Sequence, residues 1–359
     1  KGELDAQGRV RFAASCGDTF GGPPGIYLKI EGRSALGFSV GNTTSDGFPA
    51  LASSVDDRGY RNTSVNLFGS WTASDSVSLD ARAWRASGNS QYSDFFAAPI
   101  DQDFTNATYA VEAQWKPASN HGARLSLSRA EDDIAQRQSE DFVRTHRYAL
   151  DAQTDWTLGL QQLTVGALLT RESAQALSFG LPFDVDTAVN MGYVQDRVST
   201  GPHDLLLALG YTQHETFGHQ MTWNAEYGRH FSHGTRVAIA AGTAFHAPDA
   251  TDRFGFGGNP ALRPEISHQI ELTLHQAIGP RHELWASLFE NRVDDLINFQ
   301  VTDFTTFDGR NENIDRARVR GVELGYGYRG QRWHLRAEAA FNDPRNRITG
   351  ERLLRRAGN

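Results

Sequence analysis

Cysteine is almost missing from this 359-residue chain: Cys16 stands alone, so no internal disulfide forms and no CxxC or Cys/His spacing offers a structural zinc site. Methionine occurs twice and proline twelve times. No apolar run approaches the ~18 residues of a membrane-spanning helix; the longest is the short stretch 205–210. A cationic excess is missing too. With 35 Lys plus Arg against 43 Asp plus Glu the formal net charge is −8, which leaves nothing in bulk to hold nucleic-acid phosphates. The mean hydropathy of −0.49 matches an ordinary water-soluble protein, and the length alone allows one large domain or two to three of typical size.

Glycine and aromatic residues are plentiful: 35 Gly, with Phe, Trp and Tyr making up 11% of the chain. That pairing suggests β-structure with many turns, and periodicity decides the class. Residues 109–116 (Tyr-Ala-Val-Glu-Ala-Gln-Trp-Lys) alternate strictly between apolar and polar, as do 77–83, 221–227, 270–275 and 333–341. A strand with two unlike faces gives this pattern. Helical spacing is almost absent, and roughly seventeen strand-like segments follow one another, with a further one starting at Leu353.

Connections between the segments alternate in length. Short turns are expected near 31–34, 74–76, 117–122, 158–160, 200–203, 232–235, 278–281 and 329–331. Longer ones are expected over 42–60, 88–106, 131–141, 172–186, 247–265, 298–311 and 343–352. In an up-and-down antiparallel sheet this gathers all short turns at one end, the arrangement of outer-membrane β-barrels; a soluble sandwich has no reason for it. Trp71, Trp115, Trp156, Tyr328 and Trp333 flank short turns, where amphipathic rings suit the headgroup level. Half the strand residues then face water, which explains the low hydropathy. Asp151, Asp155, Glu226, Glu271, Glu323, Arg336 and Glu338 must point inward, because a charge facing lipid at the midplane costs up to about 2–4 kcal/mol.

Four motifs are more specific than periodicity. They are Phe245-His-Ala247-Pro248; Asn259-Pro260-Ala-Leu262-Arg-Pro264-Glu265; Asp295-Leu296-Ile297; and Gly321-Val322-Glu323. In this order and spacing the chain resembles the barrel of TonB-dependent outer-membrane receptors, and 57–62 (Asp-Arg-Gly-Tyr-Arg-Asn) fits that family as well. Residues 348–357, with Arg355 and Arg356, are similar to the cobalamin (vitamin B12) branch. The resemblance implies an all-β, transmembrane, up-and-down antiparallel barrel with about 17 of an expected 22 strands over residues 1–359, the N-terminal plug domain and the last strands not being in the chain. It also implies the outer membrane of a Gram-negative bacterium, contact with its lipid, and coupling to the TonB complex through the plug.

The implied activity is uptake of a scarce bulky nutrient without covalent chemistry. Cobalamin is the first choice and a ferric siderophore the second; a passive porin or surface adhesin is the alternative from another class, and a soluble β-rich enzyme the third. No nucleophile–base arrangement points to catalysis. Read for their own physics, the motifs are mostly structural. Pro248 and Pro264 lack an amide donor and suit places where strands start or stop pairing. Gly257-Gly258 permits a loop that folds back. Arg355 and Arg356, if inward, pair with acidic groups.

Ligand contacts are expected on the long connections: Tyr92, Phe95 and Phe96 in one, Phe254 and Phe256 in another, self-packing of the loop being the stronger use of the last two. Cobalamin receptors use acidic residues in their second large loop to bind calcium. The resemblance therefore makes Asp94, Asp101 and Asp103 candidate oxygen donors to that hard cation, although their spacing reproduces no recognisable calcium loop. His214, His219, His230, His233 and His246 raise haem as a ligand, but 249–258 holds no histidine and His230 and His233 fall at a short turn.

Overall fold

The computed structural model describes residues 13–15, 25–30, 34–49, 56–94, 98–303, 305 and 308–353. Among these, regular structure is almost entirely strand. The first strands are β1 (Ala13–Ser15), β2 (Gly25–Ile30), β3 (Ser34–Ser45), β4 (Tyr60–Ser74), β5 (Val77–Ser93), β6 (Pro99–Ala118) and β7 (His121–Gln136). They are followed by β8 (Phe142–Leu158), β9 (Gln161–Ser178) and β10 (Leu181–Thr200), then β11 (His203–His214), β12 (Gly218–Phe231) and β13 (Thr235–His246). A short helix α1 (Ala250–Phe254) precedes β14 (Glu265–Ile278), β15 (His282–Asp303), β16 (Asp308–Arg329) and β17 (His334–Asn346). The chain divides into two units, Lys1–Thr154 with Ala167–Asn190, and Asp155–Gly166 with Met191–Asn359.

In the first unit β1 to β7 pair antiparallel in chain order; in the second, β11 to β17 do the same. Neighbour-to-neighbour pairing joins these strands within each unit without a crossover. That is the up-and-down topology the alternation implies.

Register turns the alternation into two faces. Leu205, Tyr227, Ile239, Leu272, Leu288, Val322 and Phe341 stand directly opposite one another across β11 to β17. One residue away, the row Leu206, Glu226, Ala240, Glu271, Phe289, Gly321 and Asn342 looks the other way. The first unit repeats the arrangement: Gly69, Ala81, Val111 and Leu127 share a row, and Trp71, Leu79, Ala113 and Leu125 the next one on the same face. Asp151, Asp155, Glu226, Glu271, Glu323, Arg336 and Glu338 all fall on the polar face.

No conventional core lies behind these sheets. Among the described residues the buried apolar side chains are Leu262, Leu296, six alanines and the prolines Pro248 and Pro344, whereas Leu127, Leu209, Leu288 and Phe341 are each more than half exposed. Leaving such a side chain in water forgoes roughly 1.5–3 kcal/mol. The apolar face therefore needs an apolar environment outside the chain.

Several connections that the residue pattern marks as long are mostly strand. Over 88–106 pairing continues from Gly88↔Phe104 to Ser93↔Pro99; over 298–311 it continues to Asp303↔Asp308. The connection at 172–186 is closed by Phe179 and Gly180 alone, both at positive φ (50° and 80°), as a two-residue hairpin turn requires. Polarity alternation fades there because both faces meet water, while the backbone ladder needs no apolar side chain. Strands of up to 22 residues thus far exceed the 9–11 that cross a bilayer.

Candidate ligand-binding end of the strands

At the end away from the short turns, residues 247–264 lead from β13 to β14. Pro248 is buried where β13 stops, and Asp249 caps α1 reciprocally with Asp252: each side chain accepts the other's backbone N–H. Arg253 lies 4.6 Å from the ring of Phe254 and 5.3 Å from that of Phe217 in the β11–β12 turn. His214 closes that turn, its Nδ1 accepting the N–H of Thr216 at 3.1 Å. Burial, with Arg253 adding to it, holds His214 below the ordinary histidine value. Burial first and the Asp249 charge second push Asp252 up.

The segment is then fastened to the β15–β16 hairpin. Asn259 is buried; its Nδ2 donates to the Asn311 carbonyl at 2.9 Å and its Oδ1 accepts from Ala261 N–H at 3.0 Å. Asn313 accepts from Arg263 N–H at 2.9 Å and donates to the carbonyls of Arg263 and Asp295. Glu265 accepts the Ile297 N–H at 2.7 Å. Asp295, at φ 58°, receives the Arg263 guanidinium. Leu262 and Leu296 are buried beneath, and Pro260 stays exposed. The Asn-Pro-x-Leu-x-Pro-Glu and Asp-Leu-Ile motifs therefore form one clasp. In the fourth motif, Gly321 is hemmed in by Asn342 and Phe289, while Val322 and Glu323 look to opposite faces.

The aromatic candidates divide. Phe256 stacks on Phe299 at 6.2 Å, with Gly257 and Gly309 making room for that ring. Phe254 sits under Arg253. Tyr92 is on the polar face of β5, its hydroxyl pushed up by burial. Phe95, Phe96, Arg355 and Arg356 lie outside the described residues.

The three acidic candidates are not brought together. Asp101 and Asp103 stand on the face of β6 that carries Tyr109 and Val111, and both are engaged: Arg137 donates to Asp103 at 2.7 and 2.9 Å and pairs with Asp101 at 3.6 Å, and Asn89 donates to Asp101. The Arg137 hydrogen bonds hold Asp103 below the usual carboxylate range. Asp94 accepts the Ala98 N–H at 2.8 Å. Among the described residues no group of three or more His, Cys, Asp or Glu side chains has metal-ligating geometry. Strand alternation explains the separation from Tyr92.

Sequence reasoning missed the partners of the clasp: Phe217, Phe299, Asn311 and Asn313. The two asparagines carried a usable signal. Asn is depleted in strands, so two of them at i and i+2 on one face mark side chains occupied with backbone.

The TonB dependent receptor-like, beta-barrel family matches residues 13–357. The vitamin B12 transporter BtuB of Vibrio vulnificus is 24% identical over 92% of this chain and 55% of its own length. BtuB of Photobacterium profundum is 23% identical over 92% and 54%. The chain thus spans about half the length of these relatives. Among solved structures, the siderophore receptor PirA of Pseudomonas aeruginosa has a TM-score of 0.74 at 17% identity, over 89% of this chain and 63% of that one. The copper transporter OprC has 0.75 at 15% identity, over 92% and 60%. These likenesses are to the fold.

Proposed function

Because the chain belongs to the TonB-dependent receptor β-barrel family, we propose that it serves active uptake across the outer membrane of a Gram-negative bacterium, with cobalamin as the ligand. The observation that carries the membrane reading is the apolar face: seven large side chains opposite one another on seven strands, with charges one residue away on the other face. For the ligand, the support is similarity to two vitamin B12 transporters across 92% of the chain, together with hairpins closed by few residues.

In this reading the clasp and the ends of the strands face the exterior and meet the ligand. Energy reaches it through TonB acting on a plug. No bond is made or broken. The acidic residues Asp94, Asp101 and Asp103 make calcium the ion to vary, with release from Arg137 a precondition for two of them.

Titration of the full-length protein in detergent with cyanocobalamin, with and without calcium, tests the proposal. Saturable binding is expected. No binding of cyanocobalamin, alongside binding of a ferric chelate, overturns the ligand assignment in favour of a siderophore. Passive passage of small solutes without binding of either overturns the uptake reading in favour of a porin.

A further inference from the structure

Above the apolar face of the second unit, β16 turns cationic. Arg316, Arg318 and Arg320 alternate with Ala317 and Val319, and the period of two puts all three on the face that carries Val322 and Leu324. Their strand neighbours add to the charge. Arg318 stands directly opposite Arg292 on β15 and directly opposite Arg345 on β17. Three guanidinium groups thus occupy one cross-strand row, with opposed Cβ atoms only about 4.5–5.5 Å apart, an arrangement of like charges that is destabilising by itself.

Nearby carboxylates compensate the row only in part. Glu290 takes Arg292; Asp343 takes both Arg320, at 3.1 Å, and Arg345, at 2.7 Å; Asp294 lies 3.9 Å from Arg316. Four of the five arginines thus share three acids. No carboxylate lies within ion-pair distance of Arg318 among the described residues, and its Nε is shielded from solvent with no hydrogen-bond partner. The centre of the row is where the charge is left over.

Level decides what meets it. The row Glu290, Arg320 and Asp343 lies two residues along from Leu288, Val322 and Phe341, and the three-arginine row two residues farther, so the cations begin within about 7 Å of the apolar band. On the outward face of a strand at that height the neighbouring material is the headgroup layer. We propose that Arg292, Arg318 and Arg345 form a binding site for the phosphate groups of a phosphorylated glycolipid of the outer leaflet. The proposal rests on the outer-membrane reading above and is independent of which nutrient is carried. A guanidinium offers two parallel N–H donors to a phosphate, and a bound dianion turns three mutually repelling cations into a compensated cluster. Arg320 and Arg316 flank the row and reach the same headgroup.

The test uses the full-length protein in non-ionic detergent, stripped of lipid and then mixed with purified lipopolysaccharide, with the same glycolipid after enzymatic removal of its phosphates, or with inorganic phosphate. Bound glycolipid is read by native mass spectrometry. Wild-type protein is expected to bind the intact glycolipid at least about tenfold more tightly than the dephosphorylated one, and the R292Q/R318Q/R345Q variant to lose that preference. Equal binding of the two glycolipids by the wild type overturns the proposal without reference to any variant. Retention of the preference by a triple variant that still shows the heat-shifted migration of a folded barrel overturns it too. Displacement of the glycolipid by equimolar inorganic phosphate makes the row a site for a soluble anion and overturns the lipid assignment. Cyanocobalamin binding, measured on the same samples, is expected to be unchanged by the triple substitution; its absence in the wild type counts against the nutrient and leaves this result standing.

Discussion

Asn313 and Arg263 hold each other reciprocally: the Asn313 amide oxygen accepts the Arg263 N–H at 2.9 Å, and its Nδ2 donates to the Arg263 carbonyl at 2.9 Å. A side chain thereby imitates one rung of a β-ladder where the backbone of the clasp has left the sheet. The same Nδ2 lies 2.7 Å from the Asp295 carbonyl. At about 0.5–1.5 kcal/mol net for each hydrogen bond, Asn313→Ala should weaken local closure by roughly 2–3 kcal/mol. Hydrogen exchange of the Arg263 amide should accelerate accordingly, with Leu274 and Leu324 amides unaffected. Unchanged exchange at Arg263 would mean that the clasp is held elsewhere.

Much of this was legible in the residues. Strict alternation in 109–116 and 270–275 specified both strand and face, because a period of two has no other physical source, and the inward placement of Glu226, Glu271 and Glu323 followed from the cost of charge in lipid. Two kinds of feature were not legible. Strand ends such as Ser93↔Pro99 are polar on both faces, so only backbone pairing defines them. Contacts between distant segments, such as Asn259 with Asn311 and Phe256 with Phe299, leave no periodic trace. The separation of Tyr92 from Asp101 and Asp103 shows the limit from the other side: closeness in sequence across a hairpin tip is overridden by which face each residue takes.

Neighbouring residues on β14 test the two faces directly. Leu274 lies opposite Val237 and Ala286 in the apolar band, whereas His275 faces the other way and lies 3.9 Å from Glu283. Leu274→Arg should cost about 2–4 kcal/mol of unfolding free energy in a bilayer. His275→Arg, which keeps the ion-pair partner, should stay within about 1 kcal/mol. Urea titration of the protein refolded in vesicles measures both. Similar costs at the two positions would contradict the assignment of lipid to the Leu274 face.

On β16 Gly325 stands directly opposite Trp285, whose indole covers it so closely that a Cβ would overlap the ring. Gly325→Val should therefore destabilise by about 1–3 kcal/mol through overpacking. In the Trp285→Ala background the same substitution should cost less by at least about 0.5 kcal/mol, since the clash is shared by the pair. A purely additive double-mutant cycle would show that the glycine is needed for backbone freedom and not for room.

Asp252 gives the clasp a pH dependence of definite sign. Its carboxyl is raised above the ordinary aspartate value, burial being the larger cause and the Asp249 charge the next. A raised carboxyl pKa means that the folded clasp binds a proton more tightly than the opened one, so closure is stabilised at low pH. That stabilisation is complete below the ordinary value and is lost as pH rises through the raised one. Protection of the Asn259 and Gly255 amides, corrected for intrinsic exchange, should accordingly fall as the pH rises above about 4. Asp252→Asn keeps an oxygen to accept the Asp249 N–H while removing the charge, so it should raise protection at pH 7 and flatten the profile. Asp249→Asn should flatten it partly, because it removes only the second cause. Protection that instead rises with pH in the wild type would mean that the Asp252 carboxylate, not its acid, is the form the clasp is built around.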